Sequence, residues 1–207
     1  MTLITKDFST GYQGNEIIKS ISLSLKRSEW LGIIGANGSG KSTFLKGISR
    51  ILDVYSGTAY LDGQDIHHSS TKAMAKKIAV LPQHQKSNLP LTVYELVCLG
   101  RSPHKKWWEL DFDENDHSKV ERAIDLTDMT ALKDKYVDTL SGGQRQRAFL
   151  SLALAQDAKT LLLDEPTTFL DLRYQLQFLD LLKKINQEQK ISIVTVIHDL
   201  NLAARYC

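Results

Sequence analysis

The sequence predicts an α/β fold: a mostly parallel sheet with helices between its strands, an antiparallel β region towards the N-terminus and a helical insertion. Three observations carry this. Short apolar runs alternate with helical stretches along most of the chain, apolar–polar alternation is confined to the first third, and strand signals vanish between Thr92 and Lys135.

Taken in order, Ile17 to Leu25 alternates apolar and polar residues, the period of a strand with one buried face. Trp30 to Ile34 is a continuous apolar run and predicts a buried strand; a Gly-rich loop follows it, and a helix opens at Lys41. Thr58 to Ile66 carries Asp62-Gly63 between two short extended runs, a hairpin signal, so it joins Ile17 to Leu25 in an antiparallel edge region. Ile78 to Leu81, Thr160 to Leu163 and Ile191 to Ile197 complete the buried strands. Val93 to Leu99 and Val120 to Leu126 predict helices flanking a charged loop, Pro103 to Asp116, that contains Trp107 and Trp108. They belong to a helical insertion over about residues 86–140. Without repeats or a Pro- or Gly-rich linker, the insertion is expected to pack on the core, making 1–207 a single domain.

A chain of 207 residues with 42% apolar content can fill one core of that size. The formal net charge of +2 is too mild to predict a nucleic-acid footprint. Cys98 and Cys207 are the only cysteines and are far apart, which excludes a disulfide framework and fits a reducing compartment. No apolar stretch approaches the ~18 residues needed to span a bilayer, so a soluble, cytoplasmic chain is expected. His67, His68, His84, His104 and His117 have no metal-ligand spacing and are expected to be solvated.

The strongest chemical signal is Gly35-Ala36-Asn37-Gly38-Ser39-Gly40-Lys41-Ser42, followed by Thr43. It matches G-x-x-x-x-G-K-S between a predicted strand and a predicted helix, the context that makes a phosphate-binding P-loop. Glycines let the backbone wrap closely, so that N–H groups and the helix N-terminus face phosphates. Lys41 would reach the β- and γ-phosphates of ATP and Ser42 would ligate Mg²⁺. The fold expectation thus becomes a P-loop NTPase core.

The second signal is Leu161-Leu162-Leu163-Asp164-Glu165-Pro166, an apolar strand ending in two carboxylates. Asp164 at the phosphate site could hold Mg²⁺, and Glu165 could polarise the attacking water. The third is Leu140-Ser141-Gly142-Gly143-Gln144, a Gly-rich turn before a helix of about Gln144 to Gln156. It is either a capped helix start, with Ser141 as N-cap, or a second anion site; one triphosphate needs a second site only if two chains share it.

These motifs, in this order and with a lone His198 after the last strand, resemble ATP-binding-cassette (ABC) ATPases over nearly the whole chain. The resemblance makes Ser141, Gly142, Gly143 and Gln144 the family's signature segment. It implies that Gln83 contacts Mg²⁺ and lets the insertion sense nucleotide, that His198 holds the γ-phosphate, that Asp171 lies across a dimer interface and that Tyr12 stacks on adenine, with Phe8 as its rival. The implied catalytic residues are therefore Glu165, His198 and Gln83. The implied partner is a second copy, joined head to tail so that two MgATP are sandwiched between P-loop and signature segment, and hydrolysis opens the pair.

Thr92 to His104 is further similar to ATP-binding subunits of bacterial ferric-siderophore importers, as are Ala155-Gln156-Asp157 and Ala203 to Cys207. Haem and vitamin B12 importers fit nearly as well. This implies membrane permease subunits as partners, docking at the insertion and Trp107-Trp108, a substrate-binding protein acting through them, and residence at the cytoplasmic face of the membrane. Two departures stand out against the family. Phe169 replaces a small residue in Thr168-Phe169-Leu170-Asp171, and the chain ends at Cys207, soon after His198, where relatives usually continue. The alternatives are a soluble cassette of DNA repair or translation, which calls for a duplicated cassette, coiled coil or basic arm, and a P-loop phosphotransferase, which calls for an Arg-rich lid. None of these features is visible.

Overall fold

The computed structural model describes residues 3–83, 90–106, 109, 111–168 and 170–207. His84, Trp107, Trp108 and Phe169, singled out above, lie outside the described residues.

Two four-stranded sheets form the framework. The parallel one contains β3 (Trp30–Ile33), β6 (Ile78–Leu81), β7 (Thr160–Asp164) and β8 (Ser192–Val196), in the order β3-β8-β7-β6. All residues of β7 and β8 are buried, as expected of central strands covered on both faces. Because side chains alternate across a strand, Leu161 and Leu163 enter one hydrophobic core and Leu162 the other. Each such leucine contributes about 2 kcal/mol through burial.

The antiparallel sheet is not an edge of this one. β1 (Leu3–Tyr12), β2 (Asn15–Leu25), β4 (Val54–Leu61) and β5 (Gln64–Asp65) pair in the order β2-β1-β4-β5, separate from the parallel sheet. One of its two inner strands, β1, has no clean alternation in the sequence because Thr5, Ser9 and Thr10 are buried in it. Their hydroxyls are satisfied internally: Thr5 donates to the Ile21 carbonyl (2.9 Å), Thr10 donates to the Asp53 carbonyl (2.7 Å) and Ser9 accepts from the Ser20 N–H (3.0 Å). Paired hydroxyls behave as small core groups, which hides the strand from a hydropathy pattern.

Helix α1 (Lys41–Ile48) packs its buried Phe44, Leu45 and Ile48 into the core between the two sheets, and α2 (Thr71–Ala75) adds Met74. A third core joins α3 (Val93–Cys98), α4 (Glu114–Leu126) and α5 (Gly142–Ala155). Capping boxes start all three: Thr92 with Glu95, Asp113 with Asp116, and Ser141 with Gln144. Within this helical region the buried Arg101 donates to Asp116 Oδ1 (2.9 Å) and to the Ala155 carbonyl (2.7 Å), and Lys105 pairs with Asp116. Helices α6 (Leu172–Gln189) and α7 (Leu200–Tyr206) cover the outer face of the parallel sheet.

The histidines correct one expectation. His68 and His117 are exposed, but His67 is half-buried against Phe8, which holds its pKa below the usual value through desolvation, and the His104 Nε2 lies 2.9 Å from the Gln156 carbonyl. Packing and a backbone acceptor, neither adjacent in sequence, partly withdraw these two from solvent. The described residues contain no group of three or more His, Cys, Asp or Glu placed to hold a metal ion, and no helix among them is long and apolar enough to cross a membrane.

Candidate functional site

In a parallel sheet every strand ends on the same edge, and ligands of such folds bind there. This edge assembles residues from four distant stretches: the loop after β3, Gln83 after β6, Asp164 and Glu165 at the end of β7, and His198 after β8. All of these stretches border a cleft of about 530 Å³, lined by Asn37, Gly38, Gly40, Lys41, Ser42, Thr43, Gln83, Glu165 and His198, with Tyr12, Ile17 and Thr168, while Asp164 itself is not part of the lining.

The loop conformation depends on glycine. Gly38 and Gly40 have φ of 78° and 91°, and a Cβ at Gly40 would come within 2.6 Å of Ile18 Cδ1. As the N-cap of α1, Gly40 also provides no side-chain acceptor, leaving first-turn N–H groups of the helix for an anion. Lys41 is 7% exposed, and its Nζ donates to the carbonyls of Gly35 (2.9 Å) and Ala36 (2.8 Å). An ammonium has three donors, so one remains beyond these loop contacts. Ser39 closes the turn through its N–H to the Ala36 carbonyl (3.2 Å).

Ser42 Oγ donates to Asp164 Oδ1 at 2.6 Å, bridging α1 and β7. Asp164 is 7% exposed, and burial raises its pKa against the opposing hydrogen bond from Ser42. A buried carboxylate compensated mainly by one hydroxyl, with Ser42 and Gln83 both lining the cleft, supplies hard oxygen donors that suit Mg²⁺.

Glu165 is the most tightly held side chain of the site. Its Oε1 lies 2.6 Å from His198 Nε2, and its Oε2 accepts from Gln83 Nε2 (2.6 Å) and Thr168 Oγ1 (3.1 Å). Its backbone has φ of 50°, a left-handed conformation uncommon for a residue with a side chain. A carboxylate fixed in this way can orient a water molecule and accept its proton without first reorganising.

Tyr12 borders the same cleft at 41% exposure, with Lys46 Nζ 3.3 Å from its hydroxyl and over its ring at 5.9 Å from the centroid, which leaves the opposite ring face for a planar ligand. Its rival Phe8 is fully buried against Phe44 and is excluded from the cleft. Ser141 to Gln144 and Asp171 do not line the cleft. Ser141, Gly142 and Gln144 are exposed; a Cβ at Gly143 would stand 3.5 Å from Tyr174 Cδ1, so the α5 N-terminus abuts the first turn of α6. There Asp171 is the N-cap, accepting from the Tyr174 N–H at 3.0 Å. Ser141 to Gln144 and Asp171 thus share one surface apart from the cleft. Ile17 and Thr168 were missed in the sequence; Thr168 had a signal, since its position three residues after Glu165 permits the turn that both its N–H and its hydroxyl close.

The sequence profile described as ABC transporter matches residues 18–168. This chain belongs to the ABC transporter family. As an ABC ATP-binding chain with a P-loop NTPase fold, it is 44% identical over 207 residues to an achromobactin transport ATP-binding protein of Dickeya dadantii, covering 100% of this chain and 77% of that protein. It is 44% identical over 205 residues to an iron(3+)-hydroxamate import ATP-binding protein of Bacillus subtilis, covering 99% of this chain and 76% of the relative. Among solved structures, the ABC chain superposes with a TM-score of 0.80 and 30% identity on a dimeric ATP-binding cassette in a post-hydrolysis state bound to ADP and phosphate, covering 97% of this chain and 90% of that one. ATP is therefore the nucleotide of this ABC ATPase.

Proposed function

We propose that this ABC ATPase hydrolyses MgATP as a head-to-tail dimer and energises import of a ferric siderophore through a membrane permease. The observation that carries the dimer is the separation of two anion-seeking segments: Lys41 borders the cleft, whereas the Ser141–Gln144 turn lies outside it on an exposed surface. One chain cannot close both on one nucleotide, and a rotated second copy can. The solved cassette with ADP and phosphate, a dimer, supports this reading.

In each site the P-loop backbone and Lys41 bind the phosphates, and Tyr12 stacks on the base. Ser42 and Asp164, with Gln83 at the margin, would hold Mg²⁺, which when bound neutralises charge on the phosphate oxygens. Glu165 orients the attacking water and accepts its proton, while Gln83, Thr168 and His198 fix the carboxylate. His198 also faces the γ-phosphate. From the partner copy, Ser141 to Gln144 donate to the same phosphate and Asp171 borders the joint. The donors are split between chains, so closure assembles the site and hydrolysis releases it.

The cargo reading rests on relatives named for achromobactin and iron(3+)-hydroxamate transport, at 44% identity. We assign the chain to the cytoplasmic face of the membrane as a single ATPase domain whose helical region docks the permease; a substrate-binding protein supplies the cargo.

Light scattering of Glu165→Gln tests the dimer. With saturating MgATP the variant should run as a dimer, and with ADP as a monomer; a monomer under both conditions overturns the shared site. For the cargo, deleting the gene should abolish uptake of iron-loaded siderophore, with rescue by the wild-type gene and not by Lys41→Ala. Undiminished uptake of every siderophore the cell uses overturns that assignment.

A further inference from the structure

The opposite edge of the parallel sheet, where its strands begin, carries a second cavity of about 320 Å³. Arg27, Lys76, Lys77, Lys159 and Lys190 line it, against one carboxylate, Asp62. This local excess of positive charge is larger than the net +2 of the whole chain.

The cations follow the sheet. Arg27 precedes β3, Lys190 precedes β8, Lys159 precedes β7 and Lys76-Lys77 precede β6, and β3-β8-β7-β6 is the spatial order of the strands. Neighbouring strands lie about 4.8 Å apart, so positive groups recur along the edge at about that interval. The four strand starts span about 15 Å, so the charges fall within a Debye length or two of each other.

Few of these charges are compensated. Lys77 Nζ donates to the neutral Gln64 Oε1 (2.9 Å), and the largely exposed Lys159 lies 3.8 Å from Asp157. Arg27, Lys76 and Lys190 form no salt bridge among the described residues. Backbone donors at the strand starts are already used: Thr160 N–H to the Lys77 carbonyl (3.1 Å), Ser192 N–H to the Lys159 carbonyl (2.9 Å) and Ser28 N–H to Ser192 Oγ (2.9 Å). Recognition there falls on the cationic side chains.

We propose that this cavity binds a small soluble anion carrying several phosphate groups. A row of mainly lysine point charges matches oxygens spread along a ligand, whereas a single carboxylate would engage one or two of them. The volume lies near the lower end for ligand pockets, about 300 Å³, and the concave shape suits a small molecule over a flat membrane. The site is distinct from the nucleotide cleft, at the other end of strands roughly 15 Å long.

The probe is inorganic tripolyphosphate, titrated calorimetrically into Lys41→Ala, a background chosen on the proposed role of Lys41 so that binding at the nucleotide cleft is weakened. One equivalent should bind and raise the melting temperature. Adding Lys76→Ala and Lys190→Ala should weaken that binding at least tenfold, while the same pair in the wild-type background leaves ATP affinity unchanged. Both lysines are exposed, so the pair should fold normally. The proposal is overturned if Lys41→Ala binds no tripolyphosphate, or binds it equally well after both lysines are removed. It is also overturned if these lysines bind phosphatidylglycerol vesicles but not free tripolyphosphate. ATP titration of the wild-type chain reports the nucleotide cleft separately, so the two sites can fail independently.

Discussion

His198 Nε2 lies 2.6 Å from Glu165 Oε1, joining residues that follow two adjacent buried strands. With Gln83 on the other carboxylate oxygen, Glu165 is held from β6 and β8 at once. Glu165→Gln keeps the size and removes the base. Nucleotide binding should persist, while steady-state ATP turnover falls by roughly 10²- to 10⁴-fold. Wild-type turnover in the variant would remove Glu165 from catalysis.

Lys41→Ala removes both the ammonium and its bonds to the Gly35 and Ala36 carbonyls. A charge-assisted contact contributes about 1.5–3 kcal/mol, so nucleotide affinity should fall by roughly 10- to 100-fold. A fluorescent-nucleotide titration gives the number, and an unchanged dissociation constant contradicts a phosphate role for Lys41.

Because Ser141 to Gln144 lie outside the cleft of their own chain, ATPase activity should depend on concentration. Losing one preorganised donor costs ~3 kcal/mol, on the order of a hundredfold in rate, so dilute monomer should bind ATP but turn it over poorly. Specific activity that stays constant through a dilution series counts against a site shared between copies.

Asp116 makes a stability prediction in the helical region. Burial opposes its ionisation, but Lys105, Arg101 and the Asp113 N–H outweigh burial and bring its pKa from 3.8 to about 2. The folded value lies below the unfolded one, so the stabilisation is present above about pH 4 and is lost as pH falls towards 2. It is on the order of 2 kcal/mol at neutral pH. Asp116→Asn leaves the buried Arg101 uncompensated and should cost about 3 kcal/mol in urea unfolding at pH 7. The gap between variant and wild type should narrow as the pH is lowered below 4; a pH-independent gap would place the effect in packing instead.

Much of this molecule was legible in one dimension because the relevant physics is local. A strand, a Gly-rich turn and a helix start within a few residues at Ile33 to Ser42, so the phosphate loop declares itself by composition and spacing. The same holds for the apolar run ending in Asp164-Glu165 and for the capping pair Ser141 and Gln144, whose mutual hydrogen bonds span three residues.

What the tertiary structure alone decided depends on contacts between residues far apart in the chain. β1 was invisible because its buried Thr5, Ser9 and Thr10 are satisfied by partners 11 to 43 residues away. Phe8 and Tyr12 are both aromatic residues of one strand, and only packing sends the first into the core and leaves the second at the cleft. The cation row at the strand starts is dispersed from Arg27 to Lys190 and leaves no mark on a net charge of +2; it exists because parallel pairing brings four strand starts to one edge. Composition and periodicity report what each segment can do alone, whereas the pairing of strands determines which segments meet.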